Sequence, residues 1–270
     1  MVLTLTAPEI GQSQKTAVRL ALVLEYDGTN YFGFQWQANA PTIQGELEKA
    51  LEKLTGEKVR VVASSRTDTG VHARGQVVSF KTTASLPEEA FVHGLNYHLP
   101  DDIAVKSASQ VRDSFMVRSM AISREYSYCI LNSQTRSPMT TRFAHRVVSE
   151  LDVEAMNKAS QALVGIHDFA SFASDIGDEL GKSTIRRVYQ AKVERDGEMI
   201  VFNVVANAFL RHQIRSTVGA LVQVGLNKVS EAEFINILES KKPGLAGPTL
   251  PACGLCLMRV NYPCSFEEMR

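Results

Sequence analysis

The feature that most restricts the fold of this chain is a succession of hydrophobic periodicities that occurs twice. In its first occurrence, Arg19 to Tyr26 alternates as a strand does and ends at the turn pair Asp27-Gly28. Thr42 then caps a helix whose apolar face is Ile43, Leu47, Ala50, Leu51 and Leu54, with Gly56 just beyond its end. Val59 to Ala63 and Gln76 to Phe80 read as strands. Ser85 with Glu88 has the spacing of a capping box for a helix reaching Leu95, and Ile103 to Ala108 is again a strand. The order is βαββαβ.

The second occurrence begins with a strand from Glu125 to Leu131 and a helix from Asp152 to Leu163, with Gly165 after it. A hairpin follows, Val188 to Arg195 with Met199 to Ala206, closed at Asp196-Gly197. A helix over Phe209 to Val224 and a strand over Cys256 to Val260 complete the unit, with a short extra strand near Phe143 to Val147 and a capped helix at Ser230 to Glu239. Two such units in tandem predict an α+β fold of two ferredoxin-like halves, residues 17–108 and 109–270. Their strands join in one mixed, mainly antiparallel sheet with helices on one side and a central cleft. Residues 1–16 read as a loose tail.

At 270 residues with 44% hydrophobic and 21% charged content, the chain can bury a core of its own. No apolar run reaches the roughly 20 residues of a membrane span, and the first residues lack the basic and long apolar regions of a secretory signal, so we expect a cytoplasmic protein. The four cysteines, Cys129, Cys253, Cys256 and Cys264, are too few and too late for a disulfide framework. Cys253-Gly254-Leu255-Cys256 has the spacing of half a zinc or redox site, but no second pair matches it. We therefore read those two thiols as packed strand residues. The six histidines, His72, His93, His98, His145, His167 and His212, are too scattered for a metal cluster, and no metal is assigned.

Net charge is zero, which argues against a nucleic-acid partner when taken as an average. Locally the charges separate. Seven basic residues between Lys106 and Arg146 face Asp113 and Glu125, and seven between Lys182 and Arg215 face Glu194, Asp196 and Glu198. Acid collects at Glu150 to Glu154 and Asp175 to Glu179. Such segregation builds either a basic face on a neutral protein or ordinary solvated surface.

The stretch "SSRTDTGVHARGQVVSF", Ser64 to Phe80, is too polar for a core, and its first part forms the turn between two adjacent strands. Asp68 is the sole carboxylate between Glu57 and Glu88. Taken alone, an aspartate near a glycine in a loop is a turn former. The stretch resembles the RTDAGVHA motif of the tRNA pseudouridine synthase A family. The similarity continues in order through "EYDGTNYFGFQ", "PTIQGELEKAL", "GLNYHLPDDIAV", "REYSY", "HDFASFA", "NAFLRHQIRSTVGALVQVG" and "PACGLCLMRVNYP", covering Arg19 to Tyr262.

The resemblance implies the same paired ferredoxin-like fold and an isomerase, an intramolecular transferase that needs neither cofactor nor metal. Such an enzyme cuts the bond between uracil and ribose in a tRNA, turns the base and rejoins it through a carbon, with an aspartate as covalent catalyst. Asp68 matches that aspartate, and Arg215 matches the arginine paired with it. Arg66 matches the arginine that enters the space of an extruded uridine, where its other reading is an ion pair with Asp68. Tyr126 matches the tyrosine stacked on the flipped base, and would otherwise be an ordinary strand tyrosine alternating with Tyr128. Leu255, in the family's "GL" position, packs beneath the base.

On a helix starting at Phe209, Arg211 and Arg215 would share one face. The implied target is the anticodon stem-loop (tRNA positions 38, 39 and 40), gripped by a homodimer. A non-catalytic RNA-binding protein on the same fold is the alternative. Thr69, Ser65, Trp36, Met116, Val117 and Gln213 depart from the family pattern, which bears on substrate contacts more than on chemistry.

Overall fold

The computed structural model describes residues 16–174 and 183–270. The tail expected over residues 1–16 lies outside the described residues apart from its last member, as does the acidic run at 175–179. The first unit is β1 (Val18–Tyr26), α1 (Ile43–Thr55), β2 (Val62–Ala63), β3 (His72–Thr82), α2 (Glu88–His98) and β4 (Ile103–Val111). The second is β5 (Ser123–Asn132), β6 (His145–Val147), α3 (Val153–Gln161), β7 (Gly165–Asp168), β8 (Ile185–Asp196), β9 (Met199–Ala206), α4 (Gln213–Gly225), α5 (Glu231–Ser240) and β10 (Leu255–Asn261).

The sheet runs β4-β1-β3-β10-β5-β9-β8-β7, with β2 on β3 and β6 on β5. Within it the orders β4-β1-β3-β2 and β10-β5-β9-β8 are the same ferredoxin-like pattern, so the tandem repeat expected from periodicity is present. α1 packs on α2 and α3 on α4, as the two helices of such a unit do over one face of its sheet. One apolar cluster runs through both units, from Leu22 and Leu47 to Phe202 and Leu221.

The halves meet where β3 and β10 pair in parallel, over Cys256 opposite His72 and Leu257 opposite Ala73. Side chains reinforce this short ladder. Gly28 N donates to His72 Nδ1 at 3.1 Å, and His72 Nε2 faces Cys253 O at 3.2 Å, which assigns the proton to Nε2. Asp27 Oδ1 also lies 3.1 Å from Nδ1, but Arg142 neutralises that carboxylate at 2.6 Å, and burial holds the histidine below its usual basicity. A neutral ring satisfies the contacts with Gly28 N and Cys253 O.

Local signals set most element ends. Thr42 Oγ1 accepts from Gly45 N to start α1, and Gly56, at φ 75°, ends it in the left-handed conformation. Ser230 and Glu233 form a reciprocal capping box on α5.

Several expectations are corrected. The Ser85–Glu88 capping box is absent: α2 starts two residues later than such a box requires, behind Pro87. Glu88 instead accepts from Gln110 N at 2.6 Å and from Arg270. The strand expected from Val59 shortens to Val62–Ala63, and β7 and the first turns of β8 were not signalled by alternation.

The helix expected from Phe209 begins at Gln213, because His212 takes φ 60° and the buried Gln213 Oε1 accepts from Leu210 N at 2.8 Å. Arg211 therefore lies outside α4 and does not share a helical face with Arg215. Cys253 sits in a 3-10 turn ahead of β10 rather than in the strand. Burial pushes the Cys256 thiol up to about 12.

The two capping signatures make a paired test. Ser230→Ala should cost about 1 kcal/mol of stability, the usual loss for a helix N-cap. Ser85→Ala, at an exposed hydroxyl with no cap to lose, should change stability by less than about 0.5 kcal/mol. Urea unfolding of both variants checks this, and equal losses would contradict it.

Candidate active site

The junction of the halves opens into a cleft of about 770 Å³. The loop between β2 and β3 supplies Ser65, Arg66 and Asp68, β5 supplies Arg124 and Tyr126, the segment before α4 supplies Phe209, Arg211 and His212, and α4 supplies Arg215. Leu255 enters at the start of β10. All five residues singled out by the sequence thus line one cavity, although they are drawn from positions 66 to 255.

The loop bearing Asp68 is held from several sides. Phe34 N donates to Thr67 O at 3.0 Å, Val71 N to Asp68 O at 3.1 Å, and Gly70 N to Tyr31 O at 3.3 Å. Gly33 makes the first contact possible: at φ 86° its Cα lies so close to the loop that a β-carbon would stand 2.8 Å from Thr67 O. Below the loop, Thr67 Oγ1 and Tyr26 OH are 2.8 Å apart, and Gln76 Nε2 donates to Ser65 O at 2.8 Å.

Arg124 is buried and touches no carboxylate among the described residues. Its guanidinium donates to the carbonyls of Ser64, Arg118, Ala121 and Asn207, tying the Asp68 loop to the segments on either side of β5 and β9. Burial lowers its pKa from the ordinary arginine value.

Asp68 is one-third exposed, and two nitrogen donors approach the same oxygen of its carboxylate. His212 Nε2 lies 3.4 Å and Arg215 Nη1 3.9 Å from Oδ2. Arg215 is aimed by Nε, which donates to Leu250 O at 2.7 Å. Arg66 is exposed and makes no ion pair with Asp68 among the described residues, so the reading of Arg66 as that partner fails.

Tyr126 is buried, its hydroxyl 3.0 Å from Ser65 Oγ and its ring edge-on to Phe209 with centroids 5.3 Å apart. Burial pushes its hydroxyl up to about 12, so it is a neutral donor or acceptor at ordinary pH. Leu255, also buried, closes the floor. Among the described residues, Arg66, Arg118, Arg124, Arg211 and Arg215 line the cavity, and Asp68 is the one carboxylate that does. Such a field favours a polyanion bearing a flat, partly apolar group.

Sequence reasoning missed three contributors. His212 was read only against a metal cluster, Arg124 entered only as the first residue of "REYSY" and one of the basic residues from Lys106 to Arg146, and Phe32, an aromatic 54% exposed on the cleft wall, only within "EYDGTNYFGFQ". Two departures from the family pattern prove to be built into the site: Ser65 bonds Tyr126, and Gln213 holds the turn before α4. Trp36 stands outside the cleft, with the Arg60 guanidinium 5.2 Å from its ring centre. Among the described residues no three His, Cys, Asp or Glu side chains gather as a metal site requires.

A family described as "tRNA pseudouridine synthase" matches residues 22–118 and 159–263. The proteins called tRNA pseudouridine synthase A from Thermoanaerobacter sp. (strain X514) and Pelobacter propionicus are each 44% identical to the chain. The first aligns over 89% of this chain and 98% of its own length, the second over 90% and 99%. Among solved structures, the archaeal box H/ACA sRNP Nop10-Cbf5 complex aligns at 10% identity with a TM-score of 0.36, over 75% of this chain and 44% of that one. With a family model that matches segments of both halves of the sheet, and relatives 44% identical over about nine-tenths of its length, the chain belongs to the tRNA pseudouridine synthase family.

Proposed function

We propose that this protein isomerises uridine to pseudouridine in the anticodon stem-loop of tRNA, at positions 38, 39 and 40, with Asp68 as the covalent catalyst. The observation that carries this reading is the placement of one carboxylate in an arginine-lined cleft beside a buried tyrosine, with Arg215 against its Oδ2. The reaction breaks the bond between ribose and the uracil nitrogen and forms one from ribose to a ring carbon. That carbon gives up its proton and the released nitrogen takes one, so the atoms balance without an oxidant, a reductant or a second substrate. The chain's task is to bind, extrude and hold the base while Asp68 attacks.

The cleft residues divide that work. Arg215 aims the carboxylate. Arg66, exposed and without a carboxylate partner among the described residues, takes the place of the departing base in the stack, which offsets part of the few kcal/mol that unstacking costs. Tyr126 packs against the extruded ring, and Leu255 supports it from below. Arg118, also exposed on the cleft, meets backbone phosphates. The enzyme works in the cytoplasm as a homodimer gripping one tRNA. Among the described residues no helix is long and apolar enough to cross a membrane.

Removing the nucleophile separates chemistry from capture. Asp68→Asn should abolish pseudouridine formation while changing tRNA binding by no more than about 1 kcal/mol. Arg66→Ala should slow single-turnover formation and recover in part on a tRNA mismatched at the target uridine, a base that costs less to flip; Asp68→Asn should gain nothing from the mismatch. Substantial turnover by Asp68→Asn would return Asp68 to a turn former and favour a non-catalytic RNA-binding protein.

Binding itself should fall log-linearly with salt, and Arg118→Ala should reduce the slope by about 1. Arg118 is a cleaner probe than Arg142, whose guanidinium is engaged with Asp27. Filter binding across a salt series decides the matter, a flat response removing the basic face from the account.

A further inference from the structure

We propose that His212 is a positioning residue of the reaction, holding Oδ2 of Asp68 so that Oδ1 is the oxygen presented to the substrate. This rests on Asp68 being the covalent catalyst. Three features support it. The first is the backbone. His212 sits at φ 60° and ψ 0°, a region that residues other than glycine seldom adopt, and it is kept there by Gln213 Oε1 on Leu210 N and by Ser216 N on His212 O at 3.0 Å. The conformation does not serve helix capping, since the imidazole makes no cap hydrogen bond to α4. It turns the ring away from the helix end and toward the loop of Asp68.

The second feature is the aim of the ring. Ser174 Oγ and His212 Nδ1 are 2.5 Å apart, which fixes the imidazole plane. With the serine hydroxyl donating to Nδ1, the ring proton sits on Nε2, the nitrogen 3.4 Å from Asp68 Oδ2. A charged ring would carry that proton as well.

The third is convergence. The terminal torsion of an aspartate is broad, so one donor leaves the carboxylate able to swing. Here two donors from different backbone environments, the irregular turn at His212 and the helix at Arg215, approach the same oxygen. Among the described residues Oδ1 takes no hydrogen bond or ion pair, so its lone pairs face no competing protein donor. At 3.4 Å the contact is longer than a strong hydrogen bond, and insertion of a base would tighten it.

The test uses the full chain and unmodified tRNA, measuring single-turnover pseudouridine formation, tRNA Kd and thermal midpoint for wild type, Asp68→Asn, His212→Gly and His212→Gln. Glycine suits φ 60°, so His212→Gly keeps the turn while removing the ring. We expect it to lose about 10- to 100-fold in rate, the range for a hydrogen bond to a charged group, with Kd within about twofold of wild type. Folded His212→Gln, whose amide N–H reaches toward the Nε2 position, should recover a large part of that loss.

A wild-type rate for His212→Gly would overturn the proposal. So would a loss carried entirely by Kd, which would make His212 an RNA contact, or a folded His212→Gln as slow as the glycine variant. A wild-type chain that forms no pseudouridine, or an Asp68→Asn that forms it normally, would overturn the underlying function instead, a result distinct from any outcome at His212.

Discussion

The active cleft depends on the short parallel pairing of β3 with β10. Two register pairs join strands that lie far apart in sequence, and parallel pairing gives less per residue than antiparallel pairing. What makes the junction firm is the material around it. β10 is also paired antiparallel with β5 along its length, and the neutral His72 ring ties β3 to Gly28 and Cys253 on either side. Gly75 permits the approach: a β-carbon there would stand 2.6 Å from Met258 O, too close for any larger residue without moving β10. Once β10 is seated between β3 and β5, the loop before β3, the middle of β5 and the start of β10 become neighbours. These carry Asp68, Tyr126 and Leu255.

The same junction explains why a polar loop can be rigid. A loop with a catalytic carboxylate has few apolar contacts of its own, so its order must come from hydrogen bonds at its carbonyls and amides. Arg124 supplies donors to the carbonyls of four residues from three segments, and Gln76, Tyr26 and Phe34 hold the remainder. A buried arginine without a carboxylate partner is costly unless its N–H groups are all spoken for. Here four carbonyls take up the Nη1 and Nη2 groups and leave the net positive charge to act on the cleft.

Much of the fold was legible in the sequence, since alternation, caps and turn glycines report on neighbours a few residues away. Thr42, Gly56 and the Asp196-Gly197 turn all mark ends that the structure keeps. The failures share one cause. Glu88 left its capping role for Gln110 and Arg270, and the first four residues of the expected fourth helix were drawn off by the Gln213 and His212 contacts. In each case a tertiary partner outcompeted a local signal, and no window of sequence contains that partner. The site was legible through family resemblance at Asp68, Arg66, Tyr126, Arg215 and Leu255, whose gathering in one cleft the structure bears out. His212 and Arg124 were not legible, because what singles them out is a backbone angle in one case and a set of carbonyls in the other.

The neutral net charge also takes on a different meaning. Over the outer surface, cations are matched by nearby acids, as in Lys49 with Glu46, Arg60 with Glu48, Lys106 with Glu25 and Lys158 with Glu231. Such exposed pairs contribute little to stability, but they cancel the far field. In the cleft, among the described residues, arginines outnumber the one lining carboxylate, Asp68, and Arg66 and Arg118 meet no carboxylate. Counterion release and steering depend on the charge a ligand meets within a Debye length, not on the sum over the chain. A protein with no net charge can therefore hold a polyanion tightly at one place while repelling it nowhere else strongly, and the average that argued against a nucleic-acid partner is compatible with one.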